Sequence, residues 1–311
     1  MAGNETLQRS HVLSISPSFR INSHWLLLIA AGFAWGATFS LAKIATQGDI
    51  HPLSLNFWQT FFGCVALLGY AAVRRRRLPT TKMHIRFYLI AGILGTVIPG
   101  VLYFVAAREL PAGILAITIA TVPMLTLIIS RVLGSERLSV ARILGLSLGA
   151  TGILFILVPD TSLPEPSAAP FVILAVFCAL CYAFENVYID FHMPSGEALT
   201  ILSGMLAMAS LITAPITIAL GVFWWPQWPL GAVEWSILGM ALINAFAYGT
   251  FVHLVSTAGP VFASQTAYVV TLSGVAWGML LFGESHSHWV VAATVCMLVG
   301  LALVRPRVQR D

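Results

Sequence analysis

Charge is what this 311-residue sequence has least of. Its 16 Lys and Arg and 12 Asp and Glu amount to 9% of the chain, against 58% hydrophobic residues. A water-soluble domain carries about 25% charged and 45–50% apolar residues. This chain therefore cannot cover a water-facing surface, and its mean hydropathy is +0.89. Long polar segments are also missing. Between apolar runs the longest breaks are "RRRRLPTTKMHIR" (74–86) and "PDTSLPEPSAAP" (159–170), too short for a soluble catalytic or sensor domain. Cysteine is scarce, with four in all, and does not point to a disulfide framework. Cys178-x-x-Cys181 lies inside an apolar run without a partner pair, so both read as small packing residues. No glycine loop follows a strand, as a phosphate-binding turn would. "GLSLGATG" (145–152) sits in an apolar run, where Gly145-x-x-x-Gly149 spacing means close helix packing, within the chain or between two copies in a homodimer. Nucleotide use within the chain is thus excluded. No nucleophile–base pair or metal set gathers at one depth, so neither an enzyme nor a cofactor is expected.

What the sequence has is apolar runs. Ten are readable, roughly 25–46, 53–73, 87–107, 112–133, 140–158, 170–190, 198–221, 236–257, 261–282 and 289–304. Most meet the ~20 residues needed to cross ~30 Å of hydrocarbon. The runs are continuous, whereas barrel strands alternate apolar and polar, so the spans are helices. The expectation is an all-α integral membrane protein of ten transmembrane helices, the fifth and tenth being shortest. Residues 1–24 read as a polar tail lacking a signal-peptide cleavage site, and 305–311 as a second tail.

Basic residues set the orientation. With the N-terminus inside, Arg9, Arg20, Arg74, Arg75, Arg76, Arg77, Lys82, Arg86, Arg131, Arg137, Arg142, Arg305, Arg307 and Arg310 share that side, 14 of the 16. Arg108 alone faces out, and Lys43 lies within the first span. The positive-inside rule then places both termini in the cytoplasm. "RRRR" (74–77) beside a span is a topology anchor and an anionic-lipid contact rather than a nucleic-acid site. Trp224, Trp225, Trp228 and Trp235 crowd the outer 222–235 connection as an interfacial belt.

Five spans precede the 159–169 outer linker and five follow it. "AGILAITIATVPMLTLIISRVLGSERLS" (112–139) matches "PVFASQTAYVVTLSGVAWGMLLFGESHS" (260–287) at a constant offset, which sets Glu136 on Glu284 and Gly152 on Gly300. "AWGATFSLAK" (34–43) matches "LCYAFENVYI" (180–189) similarly. Five is odd, so the copies enter the membrane from opposite sides, as in many secondary transporters. The expected halves are 25–158 and 170–304, two inverted five-helix repeats.

At these residues the chain resembles the drug/metabolite transporter superfamily, specifically its EamA-type members. "WLLLIAAGFAWGATFSLAKIA" (25–45), "SERLSVARILGLSLGATGILFIL" (135–157), "FGES" and "LVGLALV" carry the likeness, which covers essentially the whole chain. The family's "G-E" ending before spans five and ten reads "GSE" (134–136) and "GES" (283–285) here; the first has one inserted residue. The resemblance implies a multi-pass protein of the bacterial inner membrane. It also implies a secondary transporter that exports small metabolites, amino acids or drug-like compounds by alternating access. The alternatives are an exchanger of the phosphate-ester type, for which the core offers little positive charge, or a non-transporting scaffold or sensor. The expected partners are a small-molecule substrate and the lipid bilayer.

A charge at the centre of a span costs roughly 2.5–3.5 kcal/mol on insertion scales, so intramembrane polar residues are candidates. Glu185 and Lys43 are the only charges well inside spans. Cys178, Cys181, Tyr182 and Glu185 share a face of span six, matched in span one by Trp35, Gly36, Phe39, Ser40 and Lys43. These faces read as walls of a central cavity. Glu185 is then a proton-titrating group or a counter-ion for a cationic substrate; the plainer alternative is a structural ion pair or a side chain reaching for the inner interface. Lys43 lies nearer the outer interface. Tyr103, Asn244, Tyr248, Gln265 and Tyr268 complete the candidate substrate-binding set, alongside Trp35, Ser40, Lys43, Tyr182 and Glu185. Helix–helix hydrogen bonding is their plainer role. Pro99, Gly100 and Pro123 should distort spans three and four and free backbone carbonyls. "GESHSH" (283–288) sets Glu284, His286 and His288 at an outer turn, where they could hold a metal, but it reads first as an incidental polar loop.

Overall fold

The computed structural model describes residues 17–159, 161–163 and 165–304, with side chains from 23 onward except 260 and 261. The tail expected at 305–311 and residues 1–16 of the N-terminal tail lie outside the described residues. In chain order the helices are α1 (Pro17–Ala45), α2 (Pro52–Val73), α3 (Lys82–Gly92), α4 (Ile98–Glu109), α5 (Ala112–Ile119), α6 (Val122–Val132), α7 (Val140–Leu157), α8 (Ala169–His192), α9 (Ala198–Ala219), α10 (Ala232–Ala258), α11 (Pro260–Ala263), α12 (Thr266–Phe282) and α13 (His288–Val304). The first begins at Pro17, inside the stretch expected to be a tail.

Eight of the helical segments are long and apolar enough to cross a membrane, and two shorter apolar helices, Thr266–Phe282 and His288–Val304, complete ten spans. The third, fourth and ninth are each broken in two. Span three carries a π turn, Ile93–Val97, between α3 and α4. Pro123 opens α6 at its second position, and the chain leaves the helix at 120–121 before it. Span nine breaks at Ser264 and Gln265, which is why α12 is short.

Ends of helices follow local chemistry. Thr81 and Ser139 accept the backbone N–H of His84 and Arg142, so each satisfies a donor the first turn would leave orphaned. Gly134 (φ 80) and Gly283 (φ 63) both adopt the left-handed conformation that stops a helix, so the "GSE" and "GES" endings perform the same task despite the inserted residue.

The end of the bundle where α1 starts and α13 finishes is called the near end, the opposite one the far end. Packing across the two halves is regular. Span one (α1) lies against spans eight and nine (α10, α12); span six (α8) lies against spans three and four (α4, α6). The second spans of the halves, α2 and α9, pair with each other, as do the fifth, α7 and α13. Large apolar side chains cover the outside, Val140 at 76% and Leu280 at 72% exposed among them. Hydrocarbon is the solvent such a surface requires. Trp225, Trp228 and Trp235 are exposed on the far-end connection, whereas Trp224 packs against the core and its carbonyl accepts the Trp58 indole N–H at 2.7 Å.

The small residues of α7 are used within the chain. A Cβ on Gly145 would lie 2.8 Å from both the Gly300 carbonyl oxygen and Val304 Cγ2 of α13, and one on Gly149 would overlap the Met124 sulfur. That face is occupied by α13. Gly145→Ala must push two backbones apart, and overpacking of this kind costs about 1–3 kcal/mol. The variant is expected to melt lower in detergent than Gly69→Ala, where a Cβ meets nothing within 4 Å.

Candidate functional site

The site begins with a proline. Pro99 has no N–H, and its ring displaces the carbonyl four residues earlier, that of Gly95. The helix answers with the π turn at 93–97, a device often found at functional sites. Loosened carbonyls find new donors. Asn56 Nδ2 donates to the Thr96 oxygen at 3.2 Å and Cys178 Sγ to the Pro99 oxygen at 3.2 Å. Gly100 makes room for the first of these, since a Cβ there would overlap the Asn56 amide.

Inside the π turn, Gly95 has no side chain, and the carboxylate of Glu185 occupies the space a Cβ would take. Glu185 has no ion pair and no hydrogen bond among the described residues. The structural ion pair weighed from sequence is therefore not what holds it. Its electrostatic neighbours are tyrosines, Tyr182 on its own helix and Tyr248 on α10. Tyr182 in turn faces Tyr103 and Cys178. The Tyr103 hydroxyl donates to the Thr38 carbonyl at 3.4 Å, and its ring lies 6.0 Å from that of Phe39. Spans three, six and eight thus bring four candidates together, Tyr103, Tyr182, Glu185 and Tyr248, with span one packed against Tyr103.

A cavity of about 390 Å³ opens in the near half, within the size range of small-molecule sites. Thr126 and Ser130 of α6, Asn186 beside Glu185, Phe251 of α10, and Ser264 and Tyr268 of span nine line it. Asn186 Nδ2 donates to Thr126 Oγ1 at 3.4 Å. Glu136 and Arg142 also form part of the wall, the Arg142 guanidinium donating to Glu136 Oε2 at 2.7 Å and to the Arg137 carbonyl at 2.8 Å.

In the far half, hydrogen bonds among the described residues tie the helix ends together. Lys43 Nζ donates to the carbonyls of Arg108 and Leu110 at 3.2 and 2.9 Å. Glu284 accepts the N–H groups of Ala112 and Gly113 at 2.6 and 3.0 Å. Ser54 Oγ donates to the Val222 carbonyl at 2.5 Å. The sequence read "GESHSH" as an incidental loop; its acid instead ties the second half of the chain to the first.

The remaining candidates lie apart. Ser40 is fully buried and its hydroxyl has no partner. Trp35 is half-buried on α1, Asn244 lies one turn before Tyr248, and Gln265 sits in the break of span nine. Sequence reasoning missed Gly95, Thr126, Ser130, Asn186 and Arg142. Only the proline four residues after Gly95 signalled the first. Gly95→Ala places a methyl group where the Glu185 carboxylate sits. Overpacking costs about 1–3 kcal/mol, and a displaced acid is expected to lower solute flux in proteoliposomes more than Gly69→Ala does.

A bundle of ten apolar helices, broken at three spans, with an unpaired acid inside one span and a cavity in the near half, is the build of a membrane solute transporter. Residues 23–158 match the EamA-like transporter family. An uncharacterized inner membrane transporter of Escherichia coli, YedA, is 25% identical over 88% of each chain. An uncharacterized transporter of Bacillus subtilis, YoaV, is 22% identical over 88% of this chain and 94% of its own. An S-adenosylmethionine/S-adenosylhomocysteine transporter of Chlamydia trachomatis is 22% identical over 89% of this chain and 88% of its own. One solved crystal structure shares the fold, with TM-score 0.59 at 18% identity over 91% of this chain and 96% of that one. Over residues 23–158 the chain is thus similar to EamA-like transporters, and over most of its length to proteins named as transporters; it is a multi-pass membrane protein.

Proposed function

We propose that the chain is a secondary transporter that moves small, partly apolar solutes carrying a positive charge, exporting them by alternating access between its two five-helix halves. One observation carries this reading: Glu185 is an unpaired carboxylate among tyrosines, and the next residue of its helix, Asn186, lines a cavity in the near half. A cation can pair with the acid and stack on the rings, and a proton can replace it. The cations within the bundle are already engaged. Lys43 is held by carbonyls and Arg142 by Glu136, which disfavours phosphate esters as substrates. The Chlamydia relative is named for two solutes that each carry an α-ammonium group, one of them also a sulfonium. Arg74, Arg75, Arg76, Arg77, Lys82, Arg86, Arg131, Arg137 and Arg142 are near-end residues, so the positive-inside rule makes that end cytoplasmic. The cavity then faces the cytosol, the side from which an exporter loads.

The test is thermal unfolding in detergent against a panel of amino acids, amines, sulfonium compounds and organic phosphates, followed by flux in proteoliposomes. A ligand at ~100 times its dissociation constant adds about 2.7 kcal/mol to the native state. Stabilisation and flux confined to cation-bearing solutes are expected. Stabilisation by phosphate esters instead would overturn the charge assignment, and no flux of any solute would overturn the transport mechanism.

A further inference from the structure

The match at constant offset pairs Glu136 with Glu284, yet the two acids are placed differently. Glu284 belongs to the second half and grips the first: its two oxygens take the N–H groups of Ala112 and Gly113, where α5 begins after Pro111. The dipole of α5 favours an anion there. The seat is cut for a carboxylate. A Cβ on Gly278 would come 2.5 Å from Glu284 Oε2, and one on Gly113 3.2 Å from it. His286 backs it from the loop, its Nε2 buried, 3.5 Å from Glu284 Oε2 and without a hydrogen bond. Lys43 grips the same turn from span one through the Arg108 and Leu110 carbonyls.

Glu136 makes no such contact. Its ion pair is with Arg142, inside its own half, its side chain is 40% exposed, and it lines the near-half cavity. The residue corresponding to Gly278 is Ser130, which carries a side chain where the seat has none. The residue corresponding to Arg142 is Val290, so within the second half Glu284 has no arginine partner and only the His286 contact at 3.5 Å. Two acids related by the repeat therefore do opposite things: one bridges the halves at the far end, the other stays within its half at the near end.

We propose that Glu284, seated on Gly113 and Gly278, is the latch that holds the far end shut, and that its release exposes the far half of the pathway. The proposal rests on the alternating-access reading above. The fully buried, unpartnered hydroxyl of Ser40 fits it. Such an orphan is costly in one state, and water would reach it in the other.

The test uses the full chain in sealed proteoliposomes of known orientation, with two single reporters, Ser40→Cys and Ser130→Cys. Each is labelled from either side by a charged, membrane-impermeant maleimide and read over the background of the four native cysteines. In the parent, Ser130→Cys reacts from the near side and Ser40→Cys is silent. With Glu284→Ala, Ser40→Cys is expected to label from the far side about tenfold faster while near-side labelling of Ser130→Cys falls. Gly113→Ala, which crowds the seat and keeps the acid, must shift the reporters the same way and serves if Glu284→Ala does not fold. Unchanged labelling in folded variants of both kinds overturns the latch. Solute flux is measured in the same vesicles: a parent that moves solute while the reporters ignore Glu284 sinks the latch alone, and a parent that moves nothing sinks the transport reading.

Discussion

Glu185→Gln is expected to melt at or above the temperature of the parent and to lose transport of cation-bearing solutes. The two halves of that expectation come from one geometry. No cation and no donor reaches the carboxylate among the described residues, so replacing it removes a poorly compensated charge and breaks no native contact. An amide of the same shape still fills the space beside Gly95. Removing an unpaired charge from half-buried surroundings is neutral or favourable to stability. Binding is different. A hydrogen bond to a charged group is worth about 1.5–3 kcal/mol, so loss of the acid should weaken a cationic ligand roughly 10–150-fold. The Gln variant cannot release a proton, so any dependence of flux on an imposed proton gradient should vanish with it. Melting curves with and without ligand, and flux at two transmembrane pH differences, read all three effects. A Gln variant that melts well below the parent would show the acid to be structural; one that transports normally would remove it from the mechanism.

The sequence carries the spans because their length and composition are set by lipid, which acts on every residue of a helix at once. It carries Glu185 for the same reason: one acid stands out in an uncharged run. Pro99 announces a distortion, but not that the helix widens into a π turn, nor that Gly95 yields its missing side chain to an acid of another span. That requires knowing which helices touch. Arg142 read as an anchor for topology, and only the fold shows it buried against Glu136 at the cavity wall. "GESHSH" failed for the opposite reason. A short polar run at a membrane edge looks like solvent-exposed loop, and the N–H groups that Glu284 satisfies lie 171 and 172 residues earlier in the chain. Lys43 was read as an intramembrane charge nearer the outer interface; its partners are carbonyls at the far end, a use to which no residue type in the sequence points.

The second large effect concerns Glu136 and Arg142, and it is expected to be lopsided. Both sit in one ion pair at 2.7 Å, but the Arg142 side chain is 4% exposed and that of Glu136 40%. Removing either partner takes one charged contact from the other, and the cost depends on how readily water reaches the survivor. Arg142→Gln leaves a carboxylate at the wall of an open cavity, which rehydrates. Glu136→Gln leaves a buried guanidinium that keeps the Arg137 carbonyl as acceptor but loses its counter-charge. Breaking a buried pair costs about 3–5 kcal/mol. The carbonyl brings Glu136→Gln toward the low end, about 3 kcal/mol, with Arg142→Gln the milder of the two. Denaturant or thermal unfolding of both single variants and the double variant checks this. The double variant should be more stable than Glu136→Gln alone, because it removes the buried guanidinium together with the carboxylate that balanced it. Equal losses in the two singles would mean that solvent reaches both ends of the pair alike, and that Arg142 is not buried in the folded protein.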